Sequence, residues 1–232
     1  MQTPSPPTVS RADPAVDFAH VRTWVFDLDN TLYPPRMRLF DQIEGRMTDW
    51  VMQNLKVGRT EADRLRAHYW RLHGTTLAGL MAEHAIDPWA FLTHVHDLDF
   101  SIVKPEPGLR AAITALPGRR IVYTNADTVY AARVLEARGL NDLFDAVYGV
   151  EHADFRPKPD RVAFETVFGL DGLDPETAAM FEDDPRNLAV PHAMGLRTVL
   201  VAPEPLRARH IHHHTDDLAE FLDRAVGSPA AA

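Results

Sequence analysis

Two aspartates two residues apart, Asp27 and Asp29, with Thr31 two further on, directly follow the apolar run Trp24-Val25-Phe26. The run reads as a buried strand, and a strand that stops at acids is unusual. Carboxylates desolvated at the end of a central strand cost several kcal/mol unless a cation or hydrogen-bond donors compensate. The pattern points to a Mg²⁺ site that handles phosphate. An Asp/Asn-rich turn after a strand is the plain alternative for these five residues taken alone, so the rest of the chain must supply the other parts.

Three later segments offer them. Thr124-Asn125 closes the apolar run from Arg120; alone it is an ordinary turn. Lys158 stands in Arg156-Pro157-Lys158-Pro159, where prolines on both sides stiffen the backbone and suit the lysine to place a point charge on phosphate. A solvated lysine is the ordinary alternative. Glu182-Asp183-Asp184 ends the run from Ala178. Asp184 before Pro185 reads as an N-cap. Asp183, with Glu182 acting directly or through a bound water, is the expected metal ligand, since Mg²⁺ prefers oxygen ligands in octahedral geometry.

The segments between these residues must fold so as to bring them together. Residues 1–15 are proline-rich, lack apolar periodicity and are expected to form a disordered tail. Between about residues 37 and 100 the pattern is helical. Phe40, Ile43, Met47, Val51 and Leu55 share one face, Thr60 with Asp63 resembles a capping box, Thr76 to Ala85 is a third helix, and Asp87-Pro88 opens a fourth. Helices inserted directly after the first strand would make a cap over its acidic end. Beyond residue 105 strands are predicted at 120–124, 146–148, 178–182 and 198–201. They alternate with helices at 108–116, 128–138, 160–168, 185–194 and 216–226, with Gly139 and Gly169 as helix stops. Such alternation implies an α/β fold with a doubly wound parallel sheet, whose ligands bind outside the carboxyl ends of the strands.

Asp27-Leu28-Asp29-Asn30-Thr31, Thr124-Asn125, Lys158 and Glu182-Asp183, in that order at four strand ends, resemble the four motifs of the haloacid dehalogenase superfamily. The resemblance spans roughly residues 21 to 202. It implies a Rossmann-like core made of residues 16–34 and 105–232, with a four-helix cap at 35–104. It also implies Asp27 as nucleophile, giving an aspartyl-phosphate, and Asp29 as general acid/base with its backbone carbonyl on Mg²⁺. Thr124 and Asn125 would bind the phosphoryl group with Lys158, and Asp183 and Glu182 would complete the metal site. Dehalogenases of the superfamily attack carbon without a metal and usually lack the second acid, so Asp29 favours phosphate chemistry. Tyr33-Pro34, Leu39-Phe40, Ile43, Arg46-Met47 and Phe181-Glu182-Asp183 look most like the pyrimidine 5′-nucleotidase branch, although that branch usually has a different pair at Asp184-Pro185. Phosphoglycolate or sugar-phosphate phosphatases, a phosphomutase, and a receiver-type signalling module carrying the same residue types are the competing readings.

Composition bounds the partners. The chain has 232 residues, a formal charge of −9 and no cysteine. The charge disfavours a passive grip on a nucleic acid polymer or an anionic membrane. The absence of cysteine excludes thiolate catalysis, disulfides and Cys-ligated zinc. No apolar run reaches membrane-spanning length. A cytoplasmic monomer or homodimer with a small phosphomonoester substrate is expected. His210, His212, His213 and His214 read as a surface loop, because one short run does not converge four imidazoles on a metal. Arg64, Arg66 and Arg71 read as the solvated face of a helix.

Overall fold

The computed structural model describes residues 13–227. The expected tail lies outside them up to residue 12. Asp13, Pro14 and Ala15, expected in that tail, are instead the N-cap and first residues of a short helix, α1 (Pro14–Asp17). Strand β1 (Thr23–Phe26) follows, then four helices: α2 (Leu39–Leu55), α3 (Arg59–His73), α4 (Thr76–His84) and α5 (Pro88–Val95). The alternating part comprises α6 (Pro107–Ala115), β2 (Arg119–Tyr123), α7 (Thr128–Arg138), β3 (Ala146–Tyr148), α8 (Arg161–Asp171), β4 (Ala178–Glu182), α9 (Ala189–Met194), β5 (Arg197–Val201), β6 (His213–Thr215) and α10 (Leu218–Ala225).

The strands form one sheet in the order β3-β2-β1-β4-β5-β6, every pairing parallel. β1 lies between β2 and β4, so the winding direction reverses at β1 and β4, and a crevice opens outside their carboxyl ends. The continuous apolar runs of the central strands follow from burial on both faces. Trp24, Phe26, Val122 and Phe181 point into one core, Val25, Ile121 and Met180 into the other. Phe26 and Phe181 stack at 4.9 Å across neighbouring strands. Truncating Phe181 to alanine would cost about 3–5 kcal/mol, as large-to-small changes in packed cores do.

The four helices after β1 pack on one another, with α3 against α2 and α4, and α5 against α2. Gly79 lets α4 approach Tyr69 so closely that a Cβ would overlap its ring. No helix among the described residues is long and apolar enough to cross a membrane.

Four local expectations are corrected. The histidine run is only partly a loop: His210 and His212 precede the parallel edge strand β6, which His213 and His214 enter. His213 is buried between Phe18 and Phe221 and bonds Asp17 at 2.6 Å. The imidazoles of His212, His213 and His214 go to Thr198, Asp17 and Ala202, so these three do not converge on a metal. The capping box does not form: Gly58 precedes α3 without a side-chain cap, and Asp63 instead accepts from the Thr48 hydroxyl. Gly169 lies inside α8, and the stop is Gly172, at φ +73°. Residues 185–194 divide into a 3-10 turn, Pro185–Leu188, and α9.

Candidate active site

The loop after β1 starts at Asp27, whose amide donates to Phe181 O at 2.9 Å and so continues the sheet ladder by one residue. The chain then turns, with Asn30 in the left-handed region at φ 59°, a conformation that asparagine tolerates. Arg138, buried in α7, donates from Nε to Leu32 O and from a terminal nitrogen to Lys104 O. One guanidinium thus ties the loop after β1 to the segment leading out of α5. Nothing local in the sequence marks Arg138 for this role.

Lys158 is the hub of the site. Its Nζ donates to Asp27 Oδ1 at 2.7 Å, Glu182 Oε2 at 2.6 Å and Tyr123 O at 3.0 Å, and the side chain is 1% exposed. All three ammonium protons are placed, one each toward β1, β2 and β4. Asn125 holds the lysine backbone on both sides, its Oδ1 accepting from Lys158 N at 2.7 Å and its Nδ2 donating to Lys158 O at 3.1 Å. Both ends of the Asn125 amide are therefore committed to placing Lys158. Thr124 Oγ1 accepts from Ala126 N at 3.0 Å, which leaves its own proton to donate elsewhere.

Asp29 Oδ1 accepts from the hydroxyls of Tyr33 and Tyr130, each at 2.6 Å. Beside Tyr130, His96 Nδ1 and Asp127 Oδ2 form a buried contact of 2.6 Å. Asp184 caps the turn at Pro185, accepting from Arg186 N, as the sequence predicts. Arg186 pairs with Asp184 and lies 3.5 Å over the ring of Trp70 from α3, joining core and insertion at the rim of the cavity.

These groups meet in one cavity of about 590 Å³. Asp27, Asp29, Thr124, Asn125, Glu182 and Asp183 line its floor, and Lys158 lies behind Asp27. The walls come from the insertion, chiefly Phe40, Ile43, Met47, Leu77, Phe91 and Leu92. Arg66 belongs to these walls, which corrects its assignment to a solvated helix face. Its side chain is 15% exposed, donates to Thr48 Oγ1 at 2.7 Å, and has Glu44 and Asp63 at 3.6 and 3.7 Å.

Electrostatically the floor is short of positive charge. Burial, then Glu182, push the Asp27 carboxyl up, against the opposing pull of Lys158, to about 8. Burial, then Glu182 and Asp27, push Asp183 up to about 10. Lys158, which burial would discharge, is held protonated by Asp27 and Glu182. Burial also raises Asp29, while its two tyrosine donors pull it back. One oxygen each of Asp27, Glu182 and Asp183 lie within 4.8 Å of one another. An all-oxygen set of buried acids with one lysine among them fits a hard divalent cation, which would supply the missing charge. Glu182 is the most committed of the three, because Oε2 accepts from Lys158 and Oε1 from Asp184 N at 3.2 Å.

A doubly wound parallel sheet with carboxylates, a lysine and a threonine at its switch point defines an α/β enzyme of the Rossmann-like class, walled on one side by a helical insertion. The haloacid dehalogenase-like hydrolase family matches residues 21–195, and the chain belongs to that family. Phosphate metabolism protein 8 of Saccharomyces cerevisiae is 27% identical over 196 residues, covering 77% of this chain. The match spans only 59% of that relative's length. Among solved structures, the Bacillus subtilis HAD-hydrolase YfnB bound to magnesium is similar with a TM-score of 0.57 at 15% identity, covering 89% of this chain and 99% of its own. A 2-haloacid dehalogenase from Pseudomonas syringae pv. Tomato is similar at 0.54 and 18%, with 88% and 97% covered. At such identities the likeness is one of fold.

Proposed function

We propose that the protein is a Mg²⁺-dependent phosphomonoesterase working through an aspartyl-phosphate, with pyrimidine nucleoside 5′-monophosphates as its substrates. The observation that carries the reaction class is that Asp29 and Asp183 share a cavity with Asp27. A carbon–halogen bond needs neither a second acid nor a metal, whereas a phosphomonoester dianion needs both a proton for its leaving group and positive charge.

Asp27 Oδ1 is held by Lys158, and Oδ2, without a protein partner among the described residues, attacks phosphorus. Lys158 fixes that orientation and adds positive charge behind the transferring group. The Thr124 hydroxyl donates to a phosphoryl oxygen. Asp29 protonates the leaving oxygen and later takes a proton from the water that hydrolyses the intermediate. Asp27, Asp183 and the Asp29 carbonyl would hold Mg²⁺, which offsets the phosphoryl charge; Glu182 serves mainly to hold Lys158.

The cavity walls support the substrate class. At about 590 Å³ the cavity lies within the range of roughly 300–1,000 Å³ usual for small-molecule sites. Apolar side chains suit a flat ring. Arg66 between Glu44 and Asp63 offers a donor beside acceptors, matching the carbonyls and N–H groups along a pyrimidine edge. The two flanking carboxylates disfavour a second phosphate there.

Steady-state assays on a panel of nucleotides and sugar phosphates, with Mg²⁺ and with chelator, test this reading. Sustained Mg²⁺-dependent turnover, highest on pyrimidine monophosphates and abolished by Asp27→Asn, is expected. A single phosphorylation without turnover would indicate a receiver-type module, and preference for sugar phosphates would remove the nucleotide assignment.

A further inference from the structure

The two tyrosines on Asp29 are both buried, Tyr33 at 0% and Tyr130 at 1% exposure. Their hydroxyls bond the same oxygen, Oδ1, and lie 3.4 Å from each other. A carboxylate oxygen has two lone pairs in its plane, so Oδ1 is saturated. Oδ2 has no protein partner among the described residues.

Tyr130 is itself held from two sides. The His96 ring stacks on the phenol at 4.2 Å with planes 18° apart, and Asp127 Oδ2 bonds His96 Nδ1. The other oxygen of Asp127 accepts from Tyr130 N at 2.8 Å, capping α7. One carboxylate therefore fixes both the backbone of Tyr130 and the imidazole against its ring. His96 is the residue that ends α5, so the insertion contributes directly to this arrangement.

We propose that Tyr33 and Tyr130 are positioning residues that orient the Asp29 carboxyl, with His96 and Asp127 holding Tyr130, so that the leaving group takes its proton from Oδ2. The inference rests on the phosphomonoesterase reading. In the step concerned a bond forms between Asp27 Oδ2 and phosphorus. The bond from phosphorus to the leaving oxygen breaks, its electron pair stays on that oxygen, and the proton on Asp29 Oδ2 moves to it. Asp29 is left a carboxylate, and its new charge is shared with two O–H donors already in place. Placement of the acid thereby depends on a residue that the insertion supplies.

Leaving-group dependence tests the proposal. p-Nitrophenol departs as a stable anion and needs little protonation, whereas the alkoxide of a nucleoside 5′-monophosphate needs a full proton. In Tyr33→Phe, Tyr130→Phe and the double variant, kcat/KM is compared on both substrates. Phenylalanine keeps both rings, and urea unfolding of each variant reports whether the fold is retained. The double variant should lose about 10- to 100-fold more on the nucleotide than on the aryl ester, the effect expected for hydrogen bonds to a charged group. The nucleotide's loss should fall in kcat rather than KM, and Asp29→Asn should show the same split, more strongly. Should the double variant fail to fold, the Tyr33→Phe single carries the comparison. Equal losses on both substrates, or none, overturn the positioning role while leaving the phosphatase reading intact. A wild-type protein inactive on both substrates overturns both.

Discussion

Asp183→Asn separates the proposed metal site from a merely acidic strand end, because it should shrink two quantities at once, the stability lost as pH rises and the stability gained from Mg²⁺. In the metal-free protein Asp27 and Asp183 keep their protons up to about 8 and about 10, owing to burial and to Glu182. In the unfolded chain both ionise near the ordinary value of 3.8. Above that value the folded state binds more protons than the unfolded one, so stability falls as pH rises toward the folded values. Each such proton contributes a slope of about −1.4 kcal/mol per pH unit. Replacing Asp183 removes one of the two, so the variant should lose less stability on going from pH 6 to 8. The difference can reach about 3 kcal/mol over those two units. Contributions common to both proteins cancel in the comparison. Urea unfolding of both proteins at pH 6, 7 and 8 in chelator measures it. Added Mg²⁺ should then stabilise the wild type more at pH 8 than at pH 6, since the ion displaces protons, and should stabilise the variant little. Parallel pH slopes, or equal stabilisation by Mg²⁺, would refute the shared acidic site.

Two further outcomes follow from the same geometry. Lys158→Met leaves Asp27 and Glu182 buried without their counter-ion, a loss of about 3–5 kcal/mol when a buried pair is broken from one side. Without the lysine's downward pull Asp27 keeps its proton to higher pH, so destabilisation should be larger at pH 8 than at pH 5; equal unfolding midpoints of wild type and variant at pH 8 would show that the lysine is not the hub. Arg66→Ala should raise KM for a pyrimidine monophosphate by about tenfold, as loss of a charge-assisted hydrogen bond does, with a smaller change in kcat. An unchanged KM would remove Arg66 from substrate binding.

Arg64 and Arg66 show how much a pattern of residue types leaves open. Two positions on a helix are about 200° apart, so the two side chains cannot share a face. Arg64 is exposed and paired with Glu61, while Arg66 turns into the cavity. The histidine strand was hidden for a different reason. β6 is polar and only three residues long, and it is held by pairing to β5 and by contacts with Asp17, Phe18 and Phe221 from distant parts of the chain.

The amino-acid order alone determined the layered α/β class, because apolar runs of strand length alternating with helical periodicity leave a doubly wound sheet as the simple way to bury both. It also put the acids and the threonine at strand ends and the lysine in the loop beyond β3, because carboxylates that stop an apolar run demand compensation. Tertiary structure decided which atoms meet: that Lys158 satisfies Asp27 and Glu182 together, that Asn125 holds the lysine's backbone, and that Tyr33 and Tyr130 hold Asp29 while His96 stacks on Tyr130. Those contacts join residues up to 131 positions apart. Distances of that kind are set by how helices and strands pack, and no local run of residues encodes them.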